Sequence, residues 1–269
     1  MKSRTSPISY FVLGIAALCS LFPFIILCLC ACNTSNNIKK GAYISEEPLV
    51  SLMRNMNVLF QDGQFVEAFI NTFFIAVLVT LLSLGLALIF CYLTLGTSSR
   101  TVRILVIFII LGILIPANGV VVSLFTIMSN LGLLNSIAVV ILMEMPLSFT
   151  IFLLYQCSKK FPYAIIESAR VDGIAEHRIF FSIYLHGISS SIVMAGVTAF
   201  ISSWNNLMTP LVFLDPAKHL ILSVYLSSLN SNINPDMGVM MLALLINTLP
   251  TLIVFLLFQK QYREGFEYI

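Results

Sequence analysis

Charge is scarce in this sequence. Asp, Glu, Lys and Arg make up only 10% of 269 residues, against 59% hydrophobic ones, and the mean hydropathy is +0.99. A water-soluble domain carries roughly 25% charged residues to cover its surface, so that class is excluded. Basic runs and aromatic-interleaved basic patches are missing and the net charge is only +2, which removes nucleic acid as a partner. No Gly-Lys pair occurs, hence no Gly-x-x-x-x-Gly-Lys-Ser/Thr loop to cradle phosphates. Histidine is limited to His177, His186 and His219, none in a His-Glu-x-x-His array, so a zinc protease site has no ligand set. Cysteine is sparse too: Cys19, Cys28, Cys30, Cys32, Cys91 and Cys157. The alternating Cys28, Cys30 and Cys32 spread around a helix rather than sharing a face. With no His nearby they read as small apolar packing residues, and no metal is expected.

What is abundant is long uncharged runs. Tyr10 to Ala31 holds 22 residues, and a second run extends from Phe69 to about Leu95. Each is long enough to cross a bilayer as a helix of about 20 residues, and the alternation of membrane β-strands is missing. The stretch from Ile104 to Met143 holds 40 residues. As one helix it would be about 60 Å long, twice the hydrocarbon thickness, so it must fold back. Ser129-Asn130-Leu131-Gly132-Leu133-Leu134-Asn135-Ser136 is rich in turn formers and marks the reversal. One span then ends near Met128, and the next runs from Ile137 to about Gln156. A fifth covers Ile188 to Val212 and a sixth Gly238 to Phe258. The expected fold is all-α, a polytopic membrane protein with six transmembrane helices.

Orientation follows from Lys and Arg, which favour the cytoplasmic side. With the N-terminus inside, Lys2, Arg4, Arg100, Arg103, Lys159, Lys160, Arg170, Arg178, Lys260 and Arg263 are cytoplasmic; only Lys39, Lys40, Arg54 and Lys218 are outside. Both termini are therefore placed in the cytoplasm. The expected segments are an inner N-terminus (1–9), a first helix (10–31), an outer loop (32–68), a five-span region (69–259) and an inner tail (260–269). Leu29-Cys30-Ala31-Cys32 resembles a lipoprotein cleavage box, but the apolar run before it exceeds a signal core of about 7–15 residues. The first helix is expected to be retained.

The densest charge lies between two apolar runs, on the inner side. Glu167, Arg170, Asp172, Glu176 and Arg178 fall within twelve residues around Asp172-Gly173. Pro162 suits a first helical turn, Ala164 to Val171 reads as a short helix, and Asp172-Gly173 breaks it. Asp172 or Gly173 would cap a second helix, with Glu176 in its first turn and Ile179 and Ile183 on one face. A solvated loop with amphipathic pieces is the alternative that composition allows.

Glu167-Ser168-Ala169-Arg170-Val171-Asp172-Gly173 resembles the EAA motif of binding-protein-dependent ABC importer permeases, which runs Glu-Ala-Ala, two variable residues, Asp-Gly. Phe180 or Phe181, Ile183 and Leu185 match its downstream positions. Ser168 departs from the usual Ala, and His186 and Ser191 stand where the family usually has proline. Further matches are Asn71-Thr72, Leu131 to Ser136, Ile151 to Leu154, Trp204-Asn205, Pro210-Leu211 and Asp215-Pro216. Together they cover nearly the whole chain and resemble the carbohydrate-uptake class, the maltose-type second permease, with its type I importer fold.

The resemblance implies a transport subunit, not an enzyme, in a bacterial inner membrane, with a coupling loop over 158–187. Glu167 would anchor a cytoplasmic ATP-binding cassette dimer, Ala169 and Gly173 would permit close approach, Asp172 would fix the turn, and Ser168 and Arg170 belong to the same surface. ATP and its magnesium would sit in that partner, with no cofactor in this chain. A homologous second permease, an extracytoplasmic sugar-binding protein and membrane lipid complete the expected partners. The cargo is expected to be a di- or oligosaccharide, or a glycerol-phosphate type compound.

Polar groups inside spans are costly and point to function. Glu144 would accept sugar hydroxyls or brace the bundle, with Pro146 kinking the helix beside it. Asn118 is a second polar candidate. Trp204 would stack on a sugar or sit at the interface, and Asn205 and Asn206 could bond hydroxyls. In the outer stretch Leu214 to Met237, Asp215, Asn230, Asn232 and Asn234 are candidate contacts for the binding protein, a plain surface loop being the alternative. The rival to an ATP-driven importer is an ion-coupled secondary transporter, for which Glu144 alone is thin support.

Overall fold

The computed structural model describes residues 7–97, 99–145, 148–231 and 235–267. Lys2, Arg4, Pro146, Asn232 and Asn234 lie outside the described residues, as does the side chain of Asn118. Every regular element among the described residues is helical. In chain order these are α1 (Pro7–Ala31), α2 (Ser35–Lys39), α3 (Pro48–Phe60), α4 (Gln64–Thr94), α5 (Arg100–Leu114), α6 (Ala117–Asn130), α7 (Ile137–Glu144) and α8 (Ser148–Ser158). There follow α9 (Tyr163–Val171), α10 (Glu176–Arg178), a π-helix (Ile179–Tyr184), α11 (Leu185–Gly187), α12 (Ser189–Trp204), α13 (Met208–Phe213), α14 (Leu222–Ser231) and α15 (Met237–Glu267). Helix is what lipid demands, because each backbone N–H and C=O is then satisfied within its own segment.

Four helical stretches among the described residues are long and apolar enough to cross a membrane: Tyr10–Ala31, Gln64–Thr94, Ile137–Ser158 and Met237–Gly265. Two bent pairs raise the number to six if each counts as one span. The sequence expected Ile104 to Met128 to cross unbroken. Instead α5 stops at Leu114 and α6 leaves at 108° to it. Pro116 has no N–H to give and forces Ile115 into extended backbone (φ −79°, ψ 116°). The expected span from Ile188 to Val212 is likewise interrupted, α12 ending at Trp204 before a three-residue turn into α13. The last helix runs on past the expected end at Phe258 through Glu267, so most of the supposed tail is helical.

The chain divides into two compact units. The first comprises Met1–Phe69 and Tyr225–Pro250. Within it, Asn55 Nδ2 donates to the carbonyls of Ala31 and Asn33, both at 2.9 Å, and Arg54 pairs with Asp236 at 2.7 Å. Gly238 sits so close to the Asn33 carbonyl and the Asn55 amide that a Cβ there would collide with both.

The second unit comprises Ile70–Val224 and Thr251–Ile269. One apolar core joins Ile75, Val79, Met128, Val139, Val140 and Phe213. Another, around Ala87, Leu88, Cys91, Leu154, Tyr184 and Ile188, lies at the other end of α4 and reaches the loop after α8. Buried Cys91 belongs to this core, and buried Cys157 packs with Leu153 and Met194, as composition suggested for these two. The end of α15 returns to α12: Ser190 Oγ donates to Glu264 Oε2 at 3.2 Å, and Gly265 leaves no room for a Cβ beside Met194.

Candidate functional site

The densest charge cluster folds as a helix, a tight turn and a second helix. Pro162 precedes the first residue of α9 at φ −67°. At the other end, Gly173 N–H donates to Arg170 O (3.1 Å) and Ile174 N–H to Ala169 O (3.0 Å). This pair of bonds, with Gly173 at φ +74°, is a Schellman motif. It satisfies carbonyls that the helix end would otherwise leave open, and it needs a residue that tolerates the left-handed region. Asp172 is thus the last cap of α9. The second helix is capped by Ala175 rather than by Asp172 or Gly173, because those two residues are spent on ending the first.

Arg170 spans the turn. Its guanidinium donates from Nη2 to Glu176 Oε1 (2.7 Å), from Nε to Glu176 Oε2 (3.1 Å) and from Nη1 to Tyr163 Oη (3.0 Å). Tyr92, at the end of α4, donates to Glu176 Oε1 at 2.5 Å. The Arg170 hydrogen bonds, then the Tyr92 one, hold the Glu176 carboxyl down to about 2, and the same fork raises Arg170 above its usual value. The bidentate geometry fixes angle as well as distance between the two helices.

Aromatic packing ties this loop to the spans. Tyr92 lies 5.1 Å from the ring centroids of both Phe180 and Tyr184, and Phe161 meets Tyr184 edge-on at 5.7 Å. The Tyr184 hydroxyl bonds Ser158 Oγ at 2.7 Å. Ile166, Ala169 and Ile179 form a small core beneath, with Ile183 against it. Ala169 is therefore buried inside the loop. Its small side chain lets α9 approach its own second helix, and is not available for the approach of a partner. Glu167, Ser168, Asp172 and Gly173 are exposed. The most exposed apolar residues of the same loop are Val171, 87% exposed beside the turn and given no role from sequence, and Phe181, 67% exposed and named there only as a motif match. An apolar residue flanked by Arg170 and Asp172 was the available signal.

The intramembrane candidates are arranged differently. Glu144 is buried at the end of α7, and the chain's own donors occupy its carboxylate: Ser203 Oγ on Oε2 (2.5 Å) and Asn206 Nδ2 on Oε1 (2.6 Å). Asn206 also receives the Thr209 N–H at 3.2 Å on its Oδ1 and the Ser223 hydroxyl at 2.8 Å on its carbonyl, so it anchors the turn between α12 and α13. Asn206 and Thr209 line a cavity of about 230 Å³ with Val121, Leu124, Met143 and Met208. Trp204 does not present a face for stacking: it is 1% exposed, stacked on Phe200 with centroids 5.8 Å apart and met edge-on by Phe73. Asn205 is exposed but spends its amide on the Ile201 carbonyl at 2.8 Å. Asp215 accepts the Ala217 N–H within its own turn, and exposed Asn230 belongs to the other compact unit. Among the described residues no cluster of His, Cys, Asp or Glu has metal-site geometry.

No family model matches the chain. It is 32% identical to the lactose transport system permease protein LacG of Rhizobium radiobacter over 259 residues, covering 96% of this chain and 93% of that protein. It is 25% identical to the arabinooligosaccharides transport system permease protein AraQ of Halalkalibacterium halodurans, covering 98% and 97%. The fold matches the crystal structure of a bacterial ABC transporter involved in the import of the acidic polysaccharide alginate, with a TM-score of 0.82 over 94% of both chains at 22% identity. A multi-pass helical chain with this fold, related along its whole length to sugar permeases, belongs to the family of permease subunits of ABC-type sugar transport systems.

Proposed function

We propose that this chain forms one half of the translocation path of a sugar importer and is driven by a separate ATPase pair through the loop 158–187. The observation that carries the reading is the exposed turn at Asp172-Gly173, held open by the Arg170–Glu176 fork and fastened to α4 through Tyr92. Glu167, Ser168, Asp172 and Gly173 present the docking surface, with Val171 and Phe181 supplying apolar contact. Closure of the ATPase pair, which binds the ATP and magnesium, pushes a stiff unit rather than a flexible loop. The motion passes through Tyr92, Phe180 and Tyr184 into α4 and α8, and the spans alternate between inward- and outward-open states.

On this reading both termini and the loop are cytoplasmic, and a homologous permease completes the path. A binding protein delivers a di- or oligosaccharide from outside, the class named for the relatives, and Asp215 and Asn230 are candidate contacts for it. Asn206 and Thr209 offer hydrogen bonds to the passing sugar, while Glu144 stands behind them as their support.

The test is a cysteine at Ser168, exposed and free of the left-handed constraint at Gly173. In the purified assembly it should crosslink to the ATPase through a short bifunctional maleimide, above the background of the unaltered chain. Membrane vesicles should take up labelled lactose or arabino-oligosaccharide only with ATP. Uptake that ignores ATP and collapses with the ion gradient would establish a secondary transporter instead.

A further inference from the structure

The segment between α1 and α4 holds a helix whose surface is patterned unusually. The buried edge of α3 is Ser51, Asn55 and Leu59, two of them polar. Leu59 is its buried large apolar residue, while Leu49 is 70% exposed, Met53 66%, Met56 44% and Phe60 39%, with the smaller Val50 and Val58 also exposed. The spacing i, i+4, i+7, i+11 puts Leu49, Met53, Met56 and Phe60 on one stripe, about a third of a turn from the buried edge. Arg54, about a third of a turn from the stripe on its other side, is engaged with Asp236 at 2.7 Å.

Where α3 sits decides what faces that stripe. Asn55 Nδ2 grips the carbonyl of Ala31, the last residue of the first apolar span. At its other end Phe60 meets Phe65, in the first turn of α4, with centroids 5.5 Å apart. One end of α1 and one end of α4 thus hold α3 at a single face of the bilayer. At these ends each neighbouring helix buries one face, with Cys30, Ala31, Phe65 and Ala68, and leaves apolar surface open on another, Leu29 being 37% and Val66 40% exposed. The stripe continues, along the chain, a surface that already faces lipid.

We propose that α3 is an interfacial helix that lies in the plane of the membrane, its occupant being the bilayer itself. Leu49, Met53, Met56 and Phe60 enter the boundary between headgroups and acyl chains, and Arg54 stays on the aqueous side. Flexible methionines suit a fluid partner. Through Asn55 and the Arg54–Asp236 pair, lipid contact at α3 fixes the level of the start of α15. This inference uses the membrane nature of the chain and not the docking of an ATPase, so either can fail alone.

This chain has a single native tryptophan, the buried Trp204, so the emission of a new one is read as the difference from the same assembly without it. Met53→Trp, Met56→Trp and Val58→Trp are each prepared in the full-length chain with its partner subunits, in nanodiscs of phosphatidylcholine with or without bromine on the acyl chains. Bromine near the headgroup end should cut the added emission of Met53→Trp and Met56→Trp at least twofold, and bromine deep in the chain should cut it less. Val58→Trp, on the opposite side of α3, should instead be quenched by aqueous iodide. Emission at Met53 and Met56 that ignores brominated lipid overturns the proposal: shielding from iodide as well would mean that a protein covers the stripe, and iodide quenching that water does. Two positions on the stripe keep the experiment decisive should one variant misfold.

Discussion

Two acidic side chains in this chain make similar hydrogen bonds in opposite surroundings. Glu176 sits on an exposed loop and accepts from Arg170 and Tyr92. Glu144 is buried in a span and accepts from Ser203 and Asn206. On the loop, water screens the pair and offers each partner an alternative, so the fork sets geometry and contributes little stability. In the span no water replaces a lost partner, so the clasp is a structural necessity before it is anything else. Polar bonds of similar length thus set the geometry of an exposed loop in one place and close a buried site in the other.

Removing the buried acid tests this hardest. Glu144→Ala should strand the Ser203 and Asn206 donors and cost on the order of 3 kcal/mol, seen as a lower thermal midpoint and loss of folded protein. Glu144→Gln should keep most uptake and stability, because an amide can still accept from Asn206 and can donate to Ser203. A normal midpoint with abolished uptake in Glu144→Gln would show that the charge itself serves transport.

Gly173→Val comes next. A β-branched residue at φ +74° should cost about 1–2 kcal/mol locally. The loss should fall on the turn, so uptake should drop roughly tenfold while the midpoint of the spans barely moves. Arg170→Ala should be milder, under about 1 kcal/mol, and its mark should be faster amide exchange over 163–178. The smallest effect is that of acid. The folded Glu176 carboxyl is held at about 2, below its ordinary 4.5, so its contribution is complete above about 4.5 and fades as pH falls toward 2. Exchange in the loop should quicken across that window in the unaltered chain and show no such step in Arg170→Ala.

Much of the membrane architecture was legible because lipid leaves few choices. A run of 22 uncharged residues has one stable fate, and the expected first span coincides with Tyr10–Ala31. The turn at Asp172-Gly173 was legible because glycine supplies the left-handed backbone that few residues tolerate. Leu131 to Ser136 repeats the logic, with Gly132 at φ +68° and Asn135 at φ +61°. The breaks at Pro116 and after Trp204 were harder to read. Uncharged composition continues across both, and the local signals present, Pro116 in the first and Asn205-Asn206 in the second, are compatible with an unbroken span until the directions of the flanking helices are known. Ala169 was misplaced for a related reason: a small residue permits a close approach, but its letter does not say whether the neighbour is foreign or its own.

The residue order by itself determined that this chain is helical, lives in a bilayer, carries no nucleotide loop and concentrates its charge in one short loop. Each of these follows from local quantities: apolar run length, the absence of a phosphate-cradling sequence, and the conformational freedom of single glycines. Tertiary structure alone decided that Trp204 is packed between rings, that Ser203 and Asn206 already engage Glu144, and that α3 buries Ser51 and Asn55 while leaving a stripe of large apolar residues open. Those outcomes depend on which distant side chains come within a few ångströms, and hydrogen bonds such as the one from Asn206 to Glu144 join residues far apart in the chain.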